Sequence, residues 1–200
     1  MITRTQLAEQ ANAIHEAGHA VSRWFEPVLP GVKRATIKPD ATSLGSVTPK
    51  HKKWESSLST KASSLAWIRT LLAGRIAEEV CLGEAFIGSS DDHEKATSVA
   101  RTLVAREGMH EELGPICIEQ MAGSEALRKQ IDDAIRAILQ ECRVEETKKL
   151  RRRKQEVLRV AFALIEHKTL KHKHLKEILG PRPKWRPKRG ALKQKPMPKK

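Results

Sequence analysis

The stretch TRTQLAEQANAIHEAGHAVSRWF, residues 3–25, decides how this sequence folds. Thr3 and Gln6 match the capping box T-x-x-Q, and apolar or small side chains follow at steps of three and four. This pattern predicts an amphipathic helix over residues 4–25, which Pro27 ends.

Within this helix, the residues His15-Glu16-Ala17-Gly18-His19 form an HExxH motif. Two histidines four positions apart lie about 40° apart around a helix axis and about 6 Å apart along it, so both rings can reach one tetrahedral ion. Glu16 can act as a general base on a water that zinc makes nucleophilic near neutral pH. The motif predicts a zinc site with His15 and His19 as ligands.

A third protein ligand has to come from elsewhere, because Ser22 and Phe25 stand where the extended motif HExxHxxGxxH requires Gly and His. The residues alone leave four candidates open. These are Asp92, His93, Glu78 and Glu79.

The rest of the chain predicts a mainly α domain with one small β hairpin. Short β-branched pieces at 34–37 and 44–48 suggest the hairpin. Further helices are predicted from 58 to 81, from 90 to just before Gly108, and over the stretch 124–179, which lacks glycine and proline. That stretch is expected to form one long helix or two stacked helices, with a break near Thr169.

Charge is distributed unevenly along the chain. Residues 1–147 carry 18 basic and 21 acidic side chains, whereas residues 148–200 carry 20 basic and 3 acidic ones. We predict a domain over residues 1–179 and a disordered, basic, Pro/Lys-rich tail over 180–200. Cations that could bind an anionic partner such as nucleic acid are Arg151, Arg152, Arg153, Lys154, Lys184, Arg186, Lys188 and Arg189.

Composition excludes several classes of protein. No apolar run approaches the ~20 residues of a membrane span, and no signal peptide is evident at the N-terminus, so we expect no membrane span and a cytoplasmic location. The three cysteines, Cys81, Cys117 and Cys142, are too widely spaced for a metal knuckle and are expected to be reduced core thiols.

Four motifs in order resemble the peptidase domain of the FtsH family, the M41 zinc metallopeptidases. The segment IHEAGHAV, residues 14–21, looks like that family's active-site helix. The other three are Ile37-Lys38-Pro39 with Leu44-Gly45, similar to IxP....LG; residues 72–79, similar to LxGRxAEE; and residues 88–97, similar to GAxNDLxxAT.

The resemblance implies a zinc endopeptidase that binds one Zn²⁺ per chain. It places the third ligand at Asp92 and leaves Glu16 as the base. Asp91, which replaces the family's usual Asn, is expected to cap the following helix or to support the ligands, and Glu78 or Glu79 is expected to hold the free N–H of a histidine.

The same resemblance implies which partners to expect. Family members carry a membrane anchor and an AAA+ ATPase module, whereas this sequence contains no GxxxxGK[ST] phosphate loop. We therefore expect a stand-alone peptidase that cleaves unfolded or flexible polypeptide, by itself or beside a separate AAA+ unfoldase. A hexameric ring is implied by resemblance only. The alternative is a catalytically weak scaffold that binds nucleic acid or another anionic partner through its basic segment.

Overall fold

A computed structural model of the 200-residue chain describes residues 3–39, 43–50, 60–115, 117–118 and 123–186. In chain order the elements are α1 (Arg4–Trp24), β1 (Val32–Thr36), β2 (Ser46–Pro49), α2 (Lys61–Leu82), α3 (Ser90–Arg101), a π-helical turn (Thr102–Arg106), α4 (Glu125–Arg152), α5 (Lys154–His167), β3 (Thr169–Lys171) and α6 (His172–Leu179). The prediction of a mainly α domain with a small β hairpin is confirmed, and a third strand extends the hairpin.

Helix α1 lies at the centre of the fold. Its start follows from the sequence, because Thr3 and Gln6 form the predicted capping box. From Ala11 onward nearly every residue is buried, since α2 and α5 both pack against α1. Gly18 permits the close crossing with α2: a Cβ atom there would lie 2.5 Å from the carbonyl oxygen of Ala73. The histidine motif is thereby enclosed by neighbouring helices.

The sheet has three antiparallel strands in the order β2-β1-β3. The hairpin of β1 and β2 was predicted, and Ala35 pairs with Val47 in it. Strand β3 was not predicted, because its three residues lie between two helical patterns with no turn residue to separate them. Its pairing is long-range: Leu170 lies opposite Ala35, and the hydroxyl groups of Thr36 and Thr169 are 2.7 Å apart.

The long C-terminal helical region is interrupted twice. The expected break near Thr169 is present, where Lys168 adopts the left-handed conformation and β3 follows. A second break, at Arg153, was not predicted, since neither glycine nor proline marks it. There the guanidinium of Arg153 stacks over the Phe25 ring at 3.4 Å from its centroid, so a tertiary contact accompanies the interruption.

Two predictions about the periphery need correction. The cysteines are all free, but only Cys142 is buried, whereas Cys117 is exposed and is not a core thiol. Part of the tail that we predicted to be disordered contacts the domain: Arg182 is half-buried and donates hydrogen bonds to the carbonyl oxygens of Glu26 and Leu29. Lys188 and Arg189 lie outside the described residues.

Among the described residues, no helix combines the length and apolar composition needed to cross a membrane.

Candidate metal centre

Side chains from α1 and α3 meet in one cluster. Nε2 of His15 lies 3.0 Å from Nε2 of His19, and Oδ2 of Asp92 lies 3.3 Å and 3.0 Å from these two nitrogens. We call these three residues, His15, His19 and Asp92, the histidine–aspartate cluster. Within the described part of the chain, it is the one group of three or more His, Cys, Asp or Glu residues arranged so that it could hold a metal ion. His93 and Glu79, two of the alternatives for the third position, do not belong to it.

The other ring nitrogen of each histidine is held from behind by α2. Nδ1 of His15 is 2.7 Å from Oε1 of Glu78, and Nδ1 of His19 is 2.7 Å from the carbonyl oxygen of Thr70. Because a carboxylate and a carbonyl only accept hydrogen bonds, both Nδ1 atoms carry the proton in the neutral rings. Each Nε2 lone pair is then directed into the cluster.

Glu78 and Glu79 have different surroundings although they are neighbours. Glu78 is buried, and its second oxygen accepts a 2.7 Å hydrogen bond from the backbone N–H of Phe86. Glu79 instead forms ion pairs with Arg75 and Arg143, which hold the pKa of its carboxyl below the ordinary value despite partial burial. Of the two candidates, Glu78 is therefore the one that contacts a histidine.

Asp91 and Asp92 also diverge. The prediction that Asp91 caps α3 is wrong, because Ser89 occupies the N-cap position and no side chain makes the capping hydrogen bond. Asp91 is 73% exposed and pairs with Lys95 one turn further along the helix. Successive helical residues point about 100° apart, so when Asp92 faces the histidines, Asp91 faces solvent.

Glu16 lies beside the cluster and is almost fully buried. Burial raises the pKa of its carboxyl, and its Oε2 atom has no hydrogen-bond partner. The residue before β2 covers it closely: a Cβ atom at Gly45 would lie 2.7 Å from Cγ of Glu16. The hairpin thus shields the carboxylate that the sequence predicts as the base.

A glycine also packs directly against the imidazoles. A Cβ atom at Gly74 of α2 would lie 2.5 Å from Cε1 and Nε2 of His15 and 2.6 Å from Nε2 of His19. Any residue other than glycine at this position would therefore displace the two imidazole rings.

The cluster perturbs the protonation of its own members. Burial lowers the pKa of His15, but hydrogen bonds with Asp92 and Glu78 outweigh this effect and raise the pKa to about 9. Burial opposes ionisation of Asp92, yet the adjacent histidines hold its pKa well below the ordinary value. The cluster therefore strongly favours a positive charge at its centre.

Sequence reasoning missed three contributors to this arrangement. Gly74 and Gly45 fall within the motifs of the family resemblance, so a signal was present although their contacts were not foreseen. Thr70 acts through its backbone carbonyl, which no side-chain pattern reveals.

The predicted basic residues lie elsewhere. Arg151, Arg152, Lys184 and Arg186 are exposed, and Arg153 and Lys154 are half-buried at the start of α5. No contact joins any of them to the histidine–aspartate cluster in the described structure.

A mainly helical domain in which a carboxylate meets the two histidines of an HExxH helix is typical of metallopeptidases. Comparison with known proteins agrees: the sequence model of Peptidase family M41 matches residues 3–178, and the chain belongs to this family.

The relatives are longer proteins. The ATP-dependent zinc metalloprotease FtsH 1 of Symbiobacterium thermophilum is 33% identical over 175 residues, covering 88% of this chain and 30% of that protein. FtsH of Thermus thermophilus is 33% identical over 182 residues, covering 84% and 28%. The mitochondrial inner membrane m-AAA protease component yta12 of Schizosaccharomyces pombe is 32% identical over 194 residues, covering 90% and 25%. The chain thus spans less than a third of the length of each of these curated relatives.

Proposed function

We propose that this chain is a zinc metalloendopeptidase that binds one Zn²⁺ through His15, His19 and Asp92 and uses Glu16 as general base. The observation that carries the proposal is the convergence of two histidine Nε2 atoms and one carboxylate oxygen within 3.0–3.3 Å of one another.

The donor set fits zinc. Ligands of a tetrahedral zinc ion, each about 2.0–2.2 Å from the metal, lie roughly 3.3–3.6 Å from one another, close to the separations in the cluster. Two Nε2 lone pairs and a carboxylate oxygen repel one another at these distances unless a cation or a proton lies between them. Two nitrogens and one oxygen also match the three-ligand sets of catalytic zinc sites.

Bound zinc would supply Lewis acidity, which polarises a peptide carbonyl and lowers the pKa of water. The chain itself would move the protons. The carboxylate of Glu16 accepts one from the attacking water and delivers it to the leaving amine nitrogen. Burial suits Glu16 to this role, because it raises the pKa of the carboxyl toward neutral pH. Glu78 and the carbonyl of Thr70 keep both histidine rings oriented.

The hairpin offers a binding surface for extended polypeptide. Within the described residues, β2 pairs only with β1, and its start lies against Glu16. The N–H of Lys50 donates a hydrogen bond to the carbonyl oxygen of Gly31, just before β1. Because N–H groups alternate in direction along a strand, the N–H of Val47 points away from β1, toward the free edge. A substrate strand added at this edge would pass the active site in extended form, which supports unfolded or flexible polypeptide as substrate.

The decisive experiment measures zinc content and hydrolysis of unfolded casein for the wild type, Glu16→Gln and the control Glu107→Gln, an exposed glutamate. We expect one zinc per chain in all three proteins, and a loss of about 100-fold or more in hydrolysis for Glu16→Gln only. A wild type without zinc, or a Glu16→Gln variant as active as the control, would contradict the proposal.

Substrate state is tested separately. We expect unfolded casein to be cleaved and a tightly folded protein to resist, without ATP or any added protein. Efficient degradation of the folded protein would refute the proposed substrate class and leave the zinc chemistry intact. A separate AAA+ unfoldase, a hexameric ring and a cytoplasmic location stay predictions.

A further inference from the structure

Two basic segments that are distant in sequence meet at the C-terminal end of α1. From α4, Lys149 donates hydrogen bonds to the carbonyl oxygen of Ser22 and to the carboxylate of Glu26, at 3.2 and 3.0 Å. From the C-terminal segment, Arg182 donates to the carbonyl oxygen of the same Glu26 at 2.6 Å. The stretch 148–154 and the stretch 182–186 are thus anchored on one residue.

These anchors leave other cations available on the surface. Lys148, Arg151, Arg152 and Lys154 form no ion pair with an acidic residue in the described part of the chain, whereas Lys149 and Arg153 are paired. Beyond Arg182, the exposed residues Lys184 and Arg186 flank Trp185, which is itself 57% exposed. We call these seven residues the basic junction: Lys148, Arg151, Arg152, Lys154, Lys184, Trp185 and Arg186.

The helical part of the basic junction is grooved on two sides. One open groove of about 480 Å³ is lined by Lys148 and Arg152 together with Glu145, Lys149 and Arg153. A second groove, of about 300 Å³, is lined by Arg151 and Lys154 together with Glu79, Val80 and Thr147. Cations therefore border an open depression on either side of this helical segment, and each depression also contains one glutamate.

We propose that the basic junction binds single-stranded nucleic acid without sequence preference. Lysine and arginine side chains along this helical segment would contact successive phosphates, and the Trp185 ring would stack on a base. Single strands fit better than a duplex, because only an unpaired base can leave its neighbours and stack on a side chain. A membrane surface fits less well, because Trp185 is the one exposed large apolar side chain of the basic junction and residues 148–154 present none for insertion.

This inference does not depend on the proposed peptidase activity, and either can fail alone. The test is fluorescence anisotropy of a labelled oligothymidylate of about 20 nucleotides, long enough to span the site, titrated with the full chain at several salt concentrations. The test variant combines Lys148→Gln, Arg151→Gln, Arg152→Gln and Lys154→Gln. The control combines Arg4→Gln, Lys61→Gln, Arg128→Gln and Lys129→Gln, four exposed residues of the same types outside the basic junction.

We expect wild type and control to bind alike. For the test variant, the slope of log affinity against log salt should become shallower by about 3, since each lost phosphate contact contributes roughly 0.7. Trp185→Ala should weaken binding about tenfold, with the salt slope unchanged.

Three results would overturn the proposal. They are equal loss in test and control variants, no binding by the wild type at low salt, and binding to phosphatidylserine vesicles with none to the oligonucleotide. Circular dichroism of each variant establishes that it is folded, and Trp185→Ala tests the site without altering its charge.

Discussion

One helix serves two regions of opposite character. At His15 and His19, α1 contributes to a cluster in which both rings are held on both sides, by α2 and by α3. Three residues beyond His19, beginning at Ser22, it anchors the basic junction, whose cations are exposed except for the half-buried Lys154 and lack described acidic partners.

The two regions differ in how precisely their side chains have to be positioned. A metal site needs ligand atoms fixed to within a fraction of an ångström, so its side chains are buried and hydrogen-bonded from behind. A surface for a flexible polyanion needs positive charge at high density but little orientation. Substitutions should therefore be costly in the first region and nearly silent for stability in the second.

The largest expected effect comes from Gly74→Ala. The added methyl would meet both imidazoles, at 2.5 and 2.6 Å, so the rings must move and zinc affinity should fall on the order of 100-fold or more. Isothermal titration with zinc measures this. Gly31→Ala is the matched control, because a Cβ atom there would be in ordinary contact at 3.5 Å. Equal zinc affinity in the two variants would show that Gly74 does not constrain the site.

The second prediction concerns pH and the zinc-free protein. Because the pKa of His15 is raised from 6.5 to about 9, its protonation stabilises the folded state fully below about pH 6.5, and this contribution is lost as the pH rises through 9. The loss in free energy of unfolding should be about 3 kcal/mol. Urea unfolding after chelator treatment, followed from about pH 6 to pH 9, measures it.

Two comparisons isolate the source of that pH dependence. His15→Gln should abolish this component, whereas His167→Gln, at an exposed histidine, should preserve it. Zinc should flatten the profile, because the metal competes with the proton for Nε2. A profile unchanged by His15→Gln would assign the effect to another group.

The third prediction separates the two adjacent glutamates. Glu78→Gln should weaken zinc binding about 10- to 100-fold, since the amide is a poorer hydrogen-bond acceptor for Nδ1 of His15. Glu79→Gln should leave zinc affinity unchanged, because Glu79 contacts Arg75 and Arg143. Competition titration with a zinc chelator compares the variants. Equal affinities would remove Glu78 from its positioning role.

The smallest expected effect belongs to Arg153, which lies beside the basic junction and contacts the end of α1. Arg153→Ala removes the contact with the Phe25 ring and should lower the free energy of unfolding by about 0.5–1 kcal/mol without changing zinc affinity. Urea denaturation and zinc titration of the same sample check both parts. A large drop in zinc affinity would mean that the two regions of α1 are coupled.

Much of the local structure was predictable from the sequence. The capping box and the three-four rhythm gave α1 to within one residue of its observed end at Trp24. The spacing of His15 and His19 follows from helix geometry alone, because both lie on one continuous element. The hairpin of β1 and β2 followed from short β-branched pieces between turn residues. Strand β3 did not, since its partner lies more than 130 residues away in sequence.

The third member of the cluster shows where such reasoning ends. From residue types alone, Asp92, His93, Glu78 and Glu79 were comparable candidates, and only resemblance to the family favoured Asp92. The fold distinguishes them by the positions of α2, which packs on α1, and of α3, which packs on α2: Asp92 reaches the Nε2 side of the histidines, and Glu78 reaches the Nδ1 side of His15.

The sequence by itself determined the HExxH helix, the mainly α class and the concentration of positive charge after residue 147. These are local or compositional properties, which depend on neighbours along the chain. Only the tertiary structure decided which carboxylates meet the histidines, that Gly45 and Gly74 confine Glu16 and the imidazoles, and that Arg182 joins Lys149 at Glu26. Such contacts depend on how whole helices cross, and helix crossing is fixed by the packing of the entire core.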